Sequence, residues 1–229
     1  MLGRMRILSA ACALLLLAVA TGVASASSPN GEAGKPIARI LADVQAAADG
    51  AHSVHVAGSV SSGASSLSLD LRLVAGRGGA GTIDEGGFSF QIVRIGTRAY
   101  FEASPAFWRQ YAGTGGAELF KGKWIEASAI SGQLASFTPL TSISQFFHGL
   151  LGSTDSLMEG ATTMIRGRPA FTLVDKTQGS TLYVAATGAP FPLEVTSTGR
   201  KGSISFEDWN EPLRVDVPPH PIALASIKG

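Results

Sequence analysis

The sequence holds a single cysteine, Cys12, buried in an N-terminal apolar run, and no second thiol to pair with it. An intramolecular disulfide scaffold and a thiolate metal site are therefore excluded, and the fold must rest on an ordinary apolar core. Charge is also scarce: 15% of residues are charged, 18 basic against 17 acidic, for a net +1. Without a basic stripe to neutralise phosphates, nucleic acid is not an expected partner. His52, His55, His148 and His220 show no zinc-type spacing, so no metal is expected. No serine sits in a G-x-S-x-G strand-to-helix elbow. Asp84-Glu85 and Glu207-Asp208 are neighbours on extended segments, so each pair faces apart and makes no acid/base couple. The run Gly76-Arg-Gly-Gly-Ala-Gly81 spells G-x-G-x-x-G. Strand and turn residues follow it, however, where a phosphate site needs a helix N-terminus. The reading is a protein that is not an enzyme, with no catalytic residues and no cofactor.

What the chain does have is apolar residues, at 45%, with 28 glycines and 11 prolines among 229 residues. That suits one domain with a sizeable core and many turns. The N-terminus reads as a secretory signal. Arg4 and Arg6 precede the apolar run Leu8 to Ala20, and Ala24-Ser-Ala26 forms a small-x-small site with cleavage between Ala26 and Ser27. Residues 1–26 are thus expected to be removed. Ser9-Ala-Ala-Cys12 can be read as an acylation box or as discarded apolar residues. Acylation there would leave Leu14 to Ala20 on the mature chain, which argues against a lipid anchor. The expected location is extracellular, or the outer face of a bacterial cell envelope.

Residues 27–35 read as a flexible spacer. Pro36 opens a helix whose Ile37, Ile40, Leu41, Val44 and Ala48 form one apolar stripe ended by Gly50. The period then falls to two. Leu67, Leu69, Leu71 and Leu73 face one way, and Ser66, Ser68, Asp70 and Arg72 the other, as in a half-buried antiparallel strand. Strands follow near 81–85, 88–95 and 98–103, after a turn over residues 76–81. Ser104-Pro105 and Thr138-Pro139 start two central helices, the first broken by Gly113 to Gly116. A second meander runs near 161–167, 169–176, 180–186, 191–198 and 202–208. Residues 219–229 read as an irregular tail. The class is α+β, mainly β: one sheet of about ten strands that curls, with three helices over its concave apolar face.

Several stretches carry a family resemblance. They are Ser53-Val-His-Val-Ala-Gly-Ser59, Val93-Arg-Ile-Gly-Thr-Arg-Ala-Tyr-Phe101, Gly122-Lys-Trp-Ile125 and Gly167-Arg-Pro-Ala-Phe171. To these add Leu182-Tyr-Val-Ala-Ala-Thr-Gly-Ala-Pro-Phe-Pro-Leu193 and Ile204-Ser-Phe-Glu-Asp-Trp-Asn-Glu-Pro212. Together they resemble the LppX/LprG-type envelope lipoproteins of actinobacteria, whose fold is shared with the lipoprotein carrier LolA. The resemblance implies a single LolA-like lipid-binding domain over residues 36–218, a half-open antiparallel β-barrel with helices across its mouth. It also implies an acyl lipid or glycolipid as ligand. The chain departs from the family where a lipidated cysteine is expected, since that place reads Ala24-Ser-Ala-Ser-Ser28.

On this reading Leu69, Leu71, Leu73, Phe88, Phe90, Leu182, Val184, Leu193, Val195, Ile204 and Phe206 are candidates to line a lipid cavity. The same pattern fits a filled core. Phe107, Trp108, Phe146, Phe147 and Leu150 are candidates for a lid at the mouth, or for plain cover of the sheet. Arg109, Lys121 and Lys123 beside Trp124 are candidates for a headgroup rim, or for solvated surface. The expected partners are a lipid and a membrane surface, with the protein itself a monomer. The alternative is an envelope protein-interaction module on the same fold, with a filled core.

Overall fold

The computed structural model describes residues 28–129, 138–152, 156–199 and 201–223; the expected signal, Cys12 and the expected Ala26–Ser27 cleavage site lie outside the described residues. The chain opens with helix α1 (Ile37–Asp49), followed by five strands: β1 (Ser53–Ser62), β2 (Ser65–Val74), β3 (Gly78–Glu85), β4 (Phe88–Ile95) and β5 (Arg98–Ala103). Helix α2 (Pro105–Phe120), strand β6 (Ile125–Ser128) and helix α3 (Ile143–Leu151) come next. The second half holds β7 (Leu157–Glu159), β8 (Thr163–Ile165), β9 (Arg168–Asp175), β10 (Ser180–Ala185), β11 (Pro192–Ser197), β12 (Lys201–Glu207) and β13 (Ile222–Ala223).

These strands form one sheet in the order β13-β6-β5-β4-β3-β2-β1-β12-β11-β10-β9-β7, with β8 also on β9. Strands β1 to β5 form one meander of neighbours and β9 to β12 a second. The two meanders meet at β1 and β12, where Val56 pairs with Phe206 and Gly58 with Ile204. Period-two alternation puts Leu69, Leu71 and Leu73 inside and leaves Asp70 and Arg72 exposed. The sheet is longer than about ten strands, because β7 and β13 join its ends.

Three helices cover the concave face. Ile40, Leu41, Val44 and Ala48 of α1 are buried, and Ile40, Leu41 and Val44 pack on Phe171, Leu173, Leu182 and Val184. Each fully buried aliphatic side chain here contributes about 1.5–3 kcal/mol. Ser104 caps α2 by accepting from the Phe107 N–H, and Pro105 fills its first turn. The glycines expected to end α2 only kink it. Gly113 adopts φ 70°, ψ −176°, and the helix resumes to Phe120. Thr138 to Thr141 make a 3₁₀ turn rather than the start of α3, which begins after Ser142.

Three expectations are corrected by tertiary contacts. The segment before α1 is docked, not a flexible spacer. The Asn30 N–H donates to the Ala186 carbonyl at 2.9 Å, and its side-chain amide to the Ala185 carbonyl at 2.8 Å. The Gly34 N–H reaches the Glu159 carboxylate at 3.0 Å. In the tail expected to be irregular, Ile222 and Ala223 lie parallel to Ile125 and Glu126 and close that edge of the sheet. Gly78, assigned to a turn, instead pairs with Val74 and Ile95. It sits at φ 133°, and a Cβ there would overlap the Arg94 carbonyl oxygen, so only glycine fits.

Candidate functional site

The concave face is not uniform. Under α2 it is filled by aromatic rings. Phe107 packs edge-on to Phe90 at 5.0 Å and to Phe101 at 5.6 Å, and Trp108 meets Phe120 at 4.7 Å. Farther along, Phe147 is fully buried against Phe206, at 5.0 Å, and Trp209, at 5.2 Å. Phe146 joins this cluster through Phe206 at 6.2 Å. Leu69, Leu71, Leu73, Phe88 and Phe90 pack in the same body. These residues pack as one apolar cluster, with Phe147 buried in it and Phe107, Trp108 and Phe146 half-buried against it.

The remaining part of the face is open. A cavity of about 590 Å³ lies between α1, α3 and strands β1 and β9 to β12. Leu41, Leu173, Leu182 and Ile204 form its buried wall, with Val60, Leu151, Leu157 and Val195 beside them. Leu150, Gln178 and Gly199 line it and are exposed to solvent, which marks the opening. Polar lining comes from Asp175, Gln178, Ser180, Thr196 and Ser197. The volume falls within the range of about 300–1,000 Å³ usual for small-molecule sites.

Of the expected lining residues, Leu182, Val195 and Ile204 border this cavity, as does Leu150 of the expected lid. Val184 lies under α1, and Phe206 under α3. Leu193 is a correction. Leu182 pairs with Val195, but Val184 pairs with Pro192, and this bulge turns Leu193 to the outer face. There it packs with Ala170, Ala185, Ile165 and Tyr183. The headgroup rim is also corrected. Trp124 packs on the outer face with Val93, Tyr100 and Val215, while Arg109, Lys121 and Lys123 are exposed and do not line the cavity.

Sequence reasoning missed Leu41, Val60, Leu151, Leu157, Leu173 and the polar rim. Leu41 was legible as part of the α1 stripe. Asp175 carried no signal, because an acidic residue at a strand end normally faces solvent. Here it is 5% exposed. Its Oδ1 accepts from the backbone N–H groups of Thr177 at 2.8 Å and Gln178 at 2.9 Å. The Gln178 N–H is the leading cause that lowers its pKa below the ordinary aspartate value. Among the described residues no cluster of histidine, cysteine and carboxylates could hold a metal ion. His55 lies on the outer face, its Nε2 2.9 Å from Asp70.

One long sheet, antiparallel except where β13 joins β6, with three helices across its concave face, is the mainly β architecture expected from the sequence. The sequence matches no family model and no curated protein. Among solved structures it is similar to LprF from Mycobacterium bovis, with a TM-score of 0.54 at 14% identity, covering 83% of this chain and 99% of that one. Looser likenesses are the MucA/MucB complex of Pseudomonas aeruginosa and a LolA superfamily protein from Nitrosomonas europaea. The first has a TM-score of 0.34 at 16% identity, over 72% of this chain and 53% of that one. The second has 0.27 at 12%, over 80% and 96%. The LprF likeness is one of fold.

Proposed function

We propose that the protein is an exported envelope protein that holds an acyl lipid or glycolipid in the cavity between α1, α3 and β9 to β12. The observation that carries this reading is the contrast within one concave face. Aromatic rings fill it under α2, while about 590 Å³ beside α1 stays unfilled and open to solvent. Protein interiors are otherwise close-packed, so an apolar hollow of this size supports a ligand with an apolar body. Each buried methylene contributes about 0.8 kcal/mol. A chain burying about ten of them gains roughly 8 kcal/mol before the ordering cost of binding. The reading assigns no reaction to the site. The acyl chain enters past Leu150 and Gly199, lies on Leu173, Leu182 and Ile204, and leaves its polar end at the rim.

Native mass spectrometry tests this on the chain from Ser27, purified without detergent, with lipid analysis of an organic extract. A bound mass that resolves to an acyl lipid supports the reading. A clean apo mass that persists after exposure to lipid vesicles sinks it, and leaves the surface as the working part of the molecule.

A further inference from the structure

We infer that this cavity selects a single-chain lipid with an uncharged, hydrogen-bonding head and rejects an anionic one, with Asp175 as the discriminating residue. The inference rests on the lipid-binding reading above and goes on to name the ligand's chemistry. Three observations carry it. Asp175 is the one ionisable side chain among the described residues that line the cavity, and it is 5% exposed. Its carboxylate is held by two backbone N–H groups, from Thr177 and Gln178, which stabilise the charged form. The other polar lining groups, Gln178, Ser180, Thr196 and Ser197, are neutral donors and acceptors.

No cation in the described lining offsets this charge. Lys176 and Lys201 are exposed and do not line the cavity. Lys201 falls with Ser203 and Ser205 on the alternation opposite to Ile204. An anionic headgroup at this rim would meet a buried like charge, and repulsion is strong where the wall excludes water. A hydroxylated head would instead find hydroxyls, an amide and a carboxylate acceptor. The size of the cavity limits the chain count. At roughly 30 Å³ for a water-sized group such as a methylene, 590 Å³ holds about twenty, enough for one long chain and too few for two.

The test compares 1-palmitoylglycerol with palmitoyl-lysophosphatidylglycerol, both kept below their aggregation limits, at pH 7.5 and low salt. The second adds a charged phosphate and a further glycerol, so hydroxyls are present in both heads and the charge in only one. Displacement of a neutral fluorescent alkyl probe from the mature chain reads both affinities. The expected result is a preference for the monoacylglycerol of about tenfold or more. Asp175→Asn keeps an oxygen for the two backbone N–H groups and should shrink that preference to about threefold or less. Ser197→Lys, which leaves Asp175 in place and is aligned with it through Ser180, should move the preference toward the anionic lipid and keeps the test open if the first variant does not fold. Equal binding of the two lipids by the wild-type chain overturns the charge preference while sparing the lipid-binding reading. So does an Asn variant that folds yet retains the full preference. Failure of both lipids to displace the probe overturns both.

Discussion

Val184 on β10 pairs with Pro192 on β11, although one turn of the pleat earlier Leu182 pairs with Val195. The ladder between them is short by one residue on β10, and Leu193 is rotated out of the concave face. Leu193→Ala should therefore behave as an ordinary core truncation. It should cost about 2–5 kcal/mol of stability, seen as a lower urea midpoint. Lipid affinity of the folded variant should stay within about twofold of wild type, because Leu193 contacts only the outer cluster.

Val195→Trp should do the reverse. Val195 borders the cavity and is half-buried, so a larger ring has empty space to enter. Lipid uptake should fall by at least about tenfold, while stability changes by less than the roughly 1–3 kcal/mol of true overpacking. Undiminished lipid uptake by the folded variant would contradict the assigned pocket.

Arg94 fastens the segment that leads into α3. Its Nε donates to the Thr141 hydroxyl at 2.8 Å and one terminal nitrogen to the Thr141 carbonyl at 2.7 Å. Arg94→Ala should cost about 1.5–3 kcal/mol, as expected for hydrogen bonds from a charged donor. Amide exchange over residues 138–151 should accelerate more than exchange in β1 and β2. Uniform acceleration across the chain would show that Arg94 acts on the whole fold instead.

The docked N-terminal segment makes a further prediction. A chain beginning at Pro36 loses Asn30 from the β10–β11 turn, and the Glu32–Lys35 pair at 2.7 Å. It also loses Lys35 from Asp43, a contact of 2.9 Å. Its thermal midpoint should fall by several degrees relative to the chain from Ser27, by the loss of about two or three partly buried hydrogen bonds. Equal midpoints would mean that the segment rests on the fold without stabilising it.

Acid should weaken the fold through two aspartates. The Lys35 ammonium holds the Asp43 carboxyl below its ordinary value, with Arg39 adding to this. The Gln178 N–H, the Ser156 side chain and the Thr177 N–H, in that order, do the same for Asp175 against the opposing effect of its burial. A folded-state pKa that is depressed means the carboxylate stabilises the native state. That contribution is whole above the ordinary value of 3.8 and is lost as pH falls through the folded values. Asp175→Asn, which does not titrate, should show a shallower loss of thermal midpoint below about pH 4. An unchanged slope would remove Asp175 from this account.

Periodicity made most of the sheet legible. The leucines of β2 and the alternation in β10 and β12 placed their inward faces, because a strand's side chains must alternate. The α1 stripe was equally plain. The β10–β11 bulge was not, since one extra residue changes no composition and only shifts the register. Nor could the pattern separate Leu71, in the packed core, from Leu182, at the cavity. Both alternate correctly and both are buried. What distinguishes them is which helix lies above, α3 with its phenylalanines or the seam between α1 and α3.

Local pattern alone was enough for a β-rich chain with three covering helices and one greasy sheet face. These follow from local rules of period, turn residues and composition. Long-range packing set where that face is filled and where it is hollow, that Leu193 points outward, and that Asp175 points in. Those outcomes depend on strand register and on the fit of helices against a curved sheet, which are properties of distant residues brought together rather than of any one stretch of chain.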